Sequence, residues 1–313
     1  MGELASLSVS PLWLVILGFG VGILSGLLGV GGGILMTPAL HILGMSMPMA
    51  VATSLTQMVG ASLSGSIKHA RHRHVSLALA LLFGIPGLIG ITLGKSLMVS
   101  WPREEADHAL SLLYLGIMSY ISWNMARQYY LGPRQIPGAK TPAFLHFGPK
   151  LELGPGKRKV AVIPSCLAGV GVGLLSSLTG LGGGFFYIPA LMHLSGCSMK
   201  QAVGTSLATV CISSLYGAVV YGAAGVSDIP AALLLMVGAV AGAQVGATAA
   251  HRAQDRRLQL LLLILVISAM VSMILERLDF VLLAEILLFG SGTLIVGLAL
   301  ASTFLRSKKP SQS

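Results

Sequence analysis

A glycine-rich break occurs twice in this chain, and no other feature constrains the fold as strongly. Gly-Val-Gly-Gly-Gly stands at 29–33, and Gly-Leu-Gly-Gly-Gly follows 151 residues later at 180–184. Over 20–40 and 171–191 the two copies agree at 13 of 21 positions, Gly20, Val21, Gly22, Leu24, Ser25, Leu27 and Pro38 among them. Ala-Val-Ala-Thr-Ser-Leu at 50–55 returns as Ala-Val-Gly-Thr-Ser-Leu at 202–207, with the offset grown by one residue. That offset holds through Gly90/Gly242 and Gly94/Gly246. An internal repeat of this length means two copies of one structural unit.

Each unit is built for a bilayer. The 313 residues are 54% hydrophobic and only 10% charged. A soluble domain carries about 25% charged residues, so this chain lacks the polar groups to cover a water-facing surface. Apolar runs near or above the ~20 residues that cross a membrane as helix recur throughout. They lie at 12–28, 48–67, 75–98, 106–125, 160–179, 199–221, 229–250, 258–275 and 280–305. Two shorter runs, 34–43 and 185–194, follow the glycine breaks. As a helix the first of these would rise only about 15 Å, half of a ~30 Å hydrocarbon core. The expected fold is all-α and polytopic, with two repeats plus one extra C-terminal span. The expected divisions are an N-terminal membrane repeat (1–126), a basic Gly/Pro-rich linker (127–159), a C-terminal repeat (160–277) and the last span with its tail (278–313). The segment before Pro11 has no basic n-region, so the first run reads as a span and not as a cleaved signal.

Charge distribution orients the two halves. The formal charge is +10, and the cations sit in short connections between spans, where the positive-inside rule puts them; a nucleic-acid partner is not implied. The 68–74 loop, the 127–159 linker, the connection with Arg252, Arg256 and Arg257, and the tail with Arg306, Lys308 and Lys309 are all basic. All should be cytoplasmic. The counterpart of the 68–74 loop is 222–227, which has no cation and adjoins Asp228. It should lie outside. Equivalent loops on opposite faces mean inverted repeats, with the C-terminus cytoplasmic.

Interrupted helices at matching positions of inverted repeats point to a transporter's substrate site near the membrane midplane. A helix restarting inside the membrane presents unpaired N–H groups and the positive end of its dipole, an anion site that needs no charged side chain. Irregular backbone at that depth survives only where protein or a water-filled cavity covers it. The candidates for coordination are Gly31, Gly32 and Gly33 with Gly182, Gly183 and Gly184. Thr53, Ser54 and Gln57, matched by Thr205, Ser206 and Thr209, are candidates to line the site, since hydroxyls and amides can donate to an oxyanion. The competing reading for the hydroxyls is a bond back to their own helix carbonyls. Gly18, Gly22 and Gly26 repeat at the spacing of tight helix packing. Neither break is a phosphate loop or a dinucleotide fingerprint: the Lys-Ser/Thr pair is missing, and Ile34 stands where the last glycine would be.

The doubled break, the Pro-Ala-Leu that follows at 38–40 and 189–191, and the doubled Ala-Val-(Ala/Gly)-Thr-Ser-Leu together resemble the TauE/SafE sulfite-exporter family. The likeness covers both halves. It implies export of sulfite, an organosulfonate such as sulfoacetate, or a related small anion across the bacterial plasma membrane. One departure is Ala52, where the second half has Gly204.

Other residues invite chemistry. His41 and His193 fall in the two short helices, and an intramembrane ionisable group is a candidate for proton coupling. His69, His72 and His74 could be drawn as a metal site, but Lys68, Arg71 and Arg73 are interleaved and would repel a cation. No metal and no cofactor is expected. Cys166, Cys197 and Cys211 show no paired spacing and read as small packing residues. An enzyme would need a partnered nucleophile or a metal cluster inside the spans, and only scattered His and Cys are present. The expected partners are a small anion and the bilayer; homodimerisation, and import or channel activity through the same site, stay open.

Overall fold

The computed structural model describes residues 10–131, 149–153, 159–252 and 255–306. Among them are eleven helices: α1 (Pro11–Leu28), α2 (Gly33–Ile42), α3 (Met47–Arg71), α4 (Leu77–Ser100), α5 (Arg103–Leu131), α6 (Val162–Thr179), α7 (Gly184–Ser195), α8 (Met199–Ala223), α9 (Ile229–Arg252), α10 (Asp255–Arg277) and α11 (Val281–Arg306). Six of these are long and apolar enough to cross a membrane. The protein is an all-α polytopic membrane protein with the order expected from its apolar runs.

The linker differs in part from expectation. α5 continues to Leu131, and β1 (Lys150–Glu152) pairs antiparallel with β2 (Lys159–Ala161), so Val160 belongs to a strand and not to a span. The rest of the expected linker, 132–148 and 154–158, lies outside the described residues, as do the N-terminal 1–9 and the tail beyond 306. Likewise the 68–74 loop is mostly the last turn of α3, and the chain turns at Arg73 with φ 58°.

Local chemistry starts and stops the helices. Pro11 and Pro48 occupy first-turn positions, where a missing N–H costs nothing. Gly29 and Gly180 end α1 and α6 in the left-handed region (φ 74° and 69°), and their N–H groups close the last turns on the carbonyls of Ser25 and Ser176 at 2.8 Å. Pro38 sits inside α2. It offers no N–H to the Ile34 carbonyl one turn back. The hydroxyl of Tyr114, from α5, donates to that carbonyl instead, at 2.7 Å.

The halves exchange partners. α1 packs along α9, and its counterpart α6 packs along α4. The glycines at packing spacing make this possible: Gly18, Gly22 and Gly26 lie on the backbone of Leu235, Ala239 and Ala243, where any Cβ would collide. Gly169 and Gly173 lie on Phe83 and Gly87 in the same way. Both pairs rise together in number, so each pair runs parallel. α3 and α8 cross at the centre with Gly65 against Leu207 and Gly217 against Leu55. One number rises as the other falls, so these equivalent helices run in opposite directions.

The same registers give the path of the short helices. α3 runs alongside α9, with Ser64 bonded to the Val240 carbonyl, so α1, α3 and α9 start at one end of the molecule. α2 finishes at that end. Its His41 faces Glu276 at the foot of α10, and the N–H of Met47 at the start of α3 donates to Asp107 near the start of α5. α1 and α2 therefore go in and come back, with the glycine break as the turning point.

Candidate functional site

The two breaks meet in the middle of the molecule. Met58 and Val210, equivalent residues near the midpoints of α3 and α8, each touch both loops, at Gly31 and at Gly182. The backbone follows the same course twice: φ is 82° and 92° at Gly31 and Gly32, and 73° and 70° at Gly182 and Gly183. L side chains rarely adopt these angles. Gly33 and Gly184 have ordinary helical angles and are required for another reason. A Cβ on Gly33 would overlap the carbonyl oxygen of Gly180, and one on Gly184 would stand 2.6 Å from that of Gly29. Gly33 and Gly184 thus bring the two breaks together, backbone against backbone.

α2 and α7 both begin at this crossing, with Gly32 and Gly183 as N-caps and no side chain capping either end. The first intrahelical bonds run from Leu35 and Met36 to the Gly32 carbonyl, and from Phe186 and Tyr187 to that of Gly183. The N–H groups of Gly33, Ile34, Gly184 and Phe185 come before them, at the positive ends of the two dipoles. Met58 and Val210, both fully buried, fill the space between the loops. In this conformation the centre is closed.

The hydroxyl candidates separate into distinct roles. Ser54 donates to the Gly180 carbonyl at 3.2 Å, and Ser206 shares its hydroxyl between the Gly29 carbonyl and the Val203 carbonyl of its own helix, both at 2.8 Å, so each reaches the break of the opposite half. Thr53 accepts from the N–H of Asp228, and Thr205 from that of Ser76, the residues that precede α9 and α4. These two threonines hold the ends of the opposite half's helices and do not reach the breaks. Thr209 donates to the Thr205 carbonyl of its own helix at 2.9 Å, the back-bonding alternative. Gln57 is fully buried with neither amide atom partnered.

The histidines are not equivalent in place. His41 points Nδ1 at the Met45 carbonyl (2.9 Å) and Nε2 at Glu276 (3.6 Å). His193 is exposed and reaches only the Pro189 carbonyl. Glu276 lies in the last turn of α10. Nothing in the sequence paired it with a residue 235 positions away. Tyr114, Met58 and Val210 were also missed, although the interior Pro38 was a signal that some donor must supply Ile34. The His74 ring lies between the other two, its centre 6.2 Å from that of His69 and 6.3 Å from that of His72. Among the described residues no cluster of three or more His, Cys, Asp or Glu suits a metal ion. Gly204 has a local cause: a Cβ there would stand 2.6 Å from the His74 carbonyl.

Comparison with known proteins decides the family, since the description of the sulfite exporter TauE/SafE family matches residues 14–273. The chain belongs to the TauE/SafE family. The match takes in both breaks and runs from within α1 to within α10. Among curated relatives, the probable membrane transporter YjnA of Bacillus subtilis is 25% identical over 255 residues, 80% of this chain and 94% of its own length. A probable membrane transporter of Methanocaldococcus jannaschii is 28% identical over 275 residues, covering 83% and 93%. One from Xylella fastidiosa is 28% identical over 234 residues, covering 74% and 82%. No solved structure matches. TauE/SafE proteins and these relatives are membrane transporters by name, not enzymes, and this chain is a membrane transporter of that family.

Proposed function

We propose that this transporter exports a small anion, sulfite or an organosulfonate, across the bacterial plasma membrane through a site at the crossing of the two breaks. The observation that carries the reading is the pair of uncapped helix N-termini, α2 and α7, each of which opens against the backbone of the opposite break. Two positive dipole ends at a buried centre attract an anion, and with no fixed cation among the described residues there it can leave again. Outward movement of an anion is driven by an inside-negative potential at ~2.3 kcal/mol per charge per 100 mV.

The antiparallel run of α3 and α8, together with the basic 68–74 loop and the uncharged 222–227 loop, supports repeats inverted across the bilayer with a cytoplasmic linker and C-terminus. The packed centre supports a carrier with alternating access over an open channel. His41, held against Glu276, is the better placed of the two histidines for a coupled proton. The test is efflux from cells loaded with sulfite, sulfoacetate or acetate, comparing wild type with the Gly32→Val/Gly183→Val double variant. Selective loss of sulfite or the sulfonate from wild type alone is expected. Equal release of every anion by both proteins would overturn the reading.

A further inference from the structure

Two hydroxyls stand apart from the rest of the buried set. In α-helices buried Ser and Thr commonly donate back to a carbonyl one turn earlier, and here Thr56, Ser62, Ser165, Thr179 and Thr209 all do so at 2.6–2.9 Å. Ser25 and Ser176 do not. Both are essentially without solvent exposure (0% and 1%), and neither Oγ has a partner. They occupy the same place in the two copies, 151 residues apart. Of the unpartnered buried hydroxyls among the described residues, they alone are related by the repeat. A buried hydroxyl left unbonded is costly, and the same omission in both halves is not an accident of local packing.

Their location gives the omission a purpose. Ser25 is one turn after Val21, and both adjoin Gly32, the N-cap of α2; a Cβ on Gly32 would stand 2.9 Å from Val21 and 3.6 Å from the Ser25 Cβ. A small cavity with an apolar surface, bordered by Ser25, Leu28, Gly32, Ile34 and Leu265, lies at that helix end. In the second half Val172, one turn before Ser176, meets Gly183 in the same way. Ser25 thus lies beside the N-cap of α2, and Ser176 holds the equivalent position in α6, one turn after the valine that meets the N-cap of α7.

Resting on the anion-transport reading above, we infer that Ser25 and Ser176 are substrate-binding residues. Each hydroxyl donates to an oxyanion oxygen, with the first-turn N–H groups of α2 or α7 donating to the same anion. The transport site is then two half-sites of identical make, one per repeat, each serving a tetrahedral or pyramidal sulfur oxyanion that presents several acceptor oxygens. Ser54 and Ser206, already committed to backbone carbonyls, brace the loops between them.

The experiment uses the full chain reconstituted in liposomes and measures sulfite transport against sulfite concentration, alongside the thermal stabilisation that sulfite confers on the detergent-purified protein. Ser25→Ala and Ser176→Ala are expected to raise KM about tenfold or more, as loss of one hydrogen bond to a charge implies. Sulfite-induced stabilisation should be lost, with the unliganded Tm unchanged or slightly raised. Ser25→Cys, which fills the space at least as fully but donates poorly, should behave like the alanine variant and guards against an artefact of the void that alanine leaves. Wild-type KM and stabilisation in the alanine variants, with Gly32→Val inactive, would overturn this inference and leave the proposed function standing. A wild type that neither binds nor moves sulfite or a sulfonate would overturn both.

Discussion

The hydroxyl of Ser206, on α8, donates to the carbonyl of Gly29 at the end of α1, 177 residues away, at 2.8 Å. Ser54 repeats the contact on Gly180 in the opposite sense. Reciprocity of this kind, with each half holding the other's break, is the mark of a two-fold relation between like surfaces.

Removing either brace should therefore loosen the centre. Ser206→Ala leaves the buried Gly29 carbonyl without this donor, a loss of about 1–3 kcal/mol. Thermal unfolding of the purified protein should show a Tm lower by several degrees, with Ser54→Ala similar or milder given its longer bond. An unchanged Tm in both would remove the bracing role.

The hydroxyl of Tyr114 serves a carbonyl that Pro38 leaves bare. Tyr114→Phe should cost about 1–3 kcal/mol in the native background. In a Pro38→Ala background, where residue 38 regains its N–H, the same change should cost clearly less. Equal costs in the two backgrounds of this double-mutant cycle would show that the two features are uncoupled.

Gly33 and Gly184 are placed against the opposite loop's backbone, while Gly20 and Gly171 have nothing within 4 Å of a built Cβ. Gly33→Ala and Gly184→Ala should abolish transport or sharply lower the yield of monodisperse protein. Gly20→Ala and Gly171→Ala should match wild type. Tolerance of alanine at 33 and 184 would mean that the loops stand further apart than described.

Coupling of a proton to anion movement should depend on one histidine only. His41 is paired with Glu276 and His193 is not paired with any carboxylate among the described residues. Internal pH recorded in liposomes during sulfite transport should lose its change in His41→Gln and Glu276→Gln but keep it in His193→Gln. If His193→Gln alone abolishes the signal, the assignment is reversed.

Inversion of the repeats is open to a labelling test. In a background lacking the native Cys166, Cys197 and Cys211, Ala224→Cys should react with an impermeant maleimide added to intact cells. Arg71→Cys, exposed on the equivalent loop, should react only after the membrane is opened. Labelling of both from one side would end the inverted arrangement.

The features legible in sequence are those with local causes. The apolar runs set the spans, because a helix in lipid must be apolar over a known length. Paired glycines and prolines marked where helices stop and restart, because those residues act on their own backbone. The 3.6-residue period did not say which half a helix would join. Packing decided that: Gly18 matched Leu235 of the other repeat, not a neighbour in its own.

The site was legible to the same depth. Glycine clusters that recur beside short helices located the breaks, so Gly31–33 and Gly182–184 were found by number. Side-chain roles were not. Thr53 and Ser54 are adjacent in sequence and point to different tasks, since a helix turns 100° between them, one toward Asp228 and the other toward Gly180. Sequence alone determined that this is a duplicated membrane protein with two glycine-broken helices. Only the tertiary structure decided that the breaks touch, that His41 meets Glu276, and that Ser25 and Ser176 are left without partners. Those relations join residues far apart along the chain, and the packing of exchanged helices, not any local preference, brings them within reach.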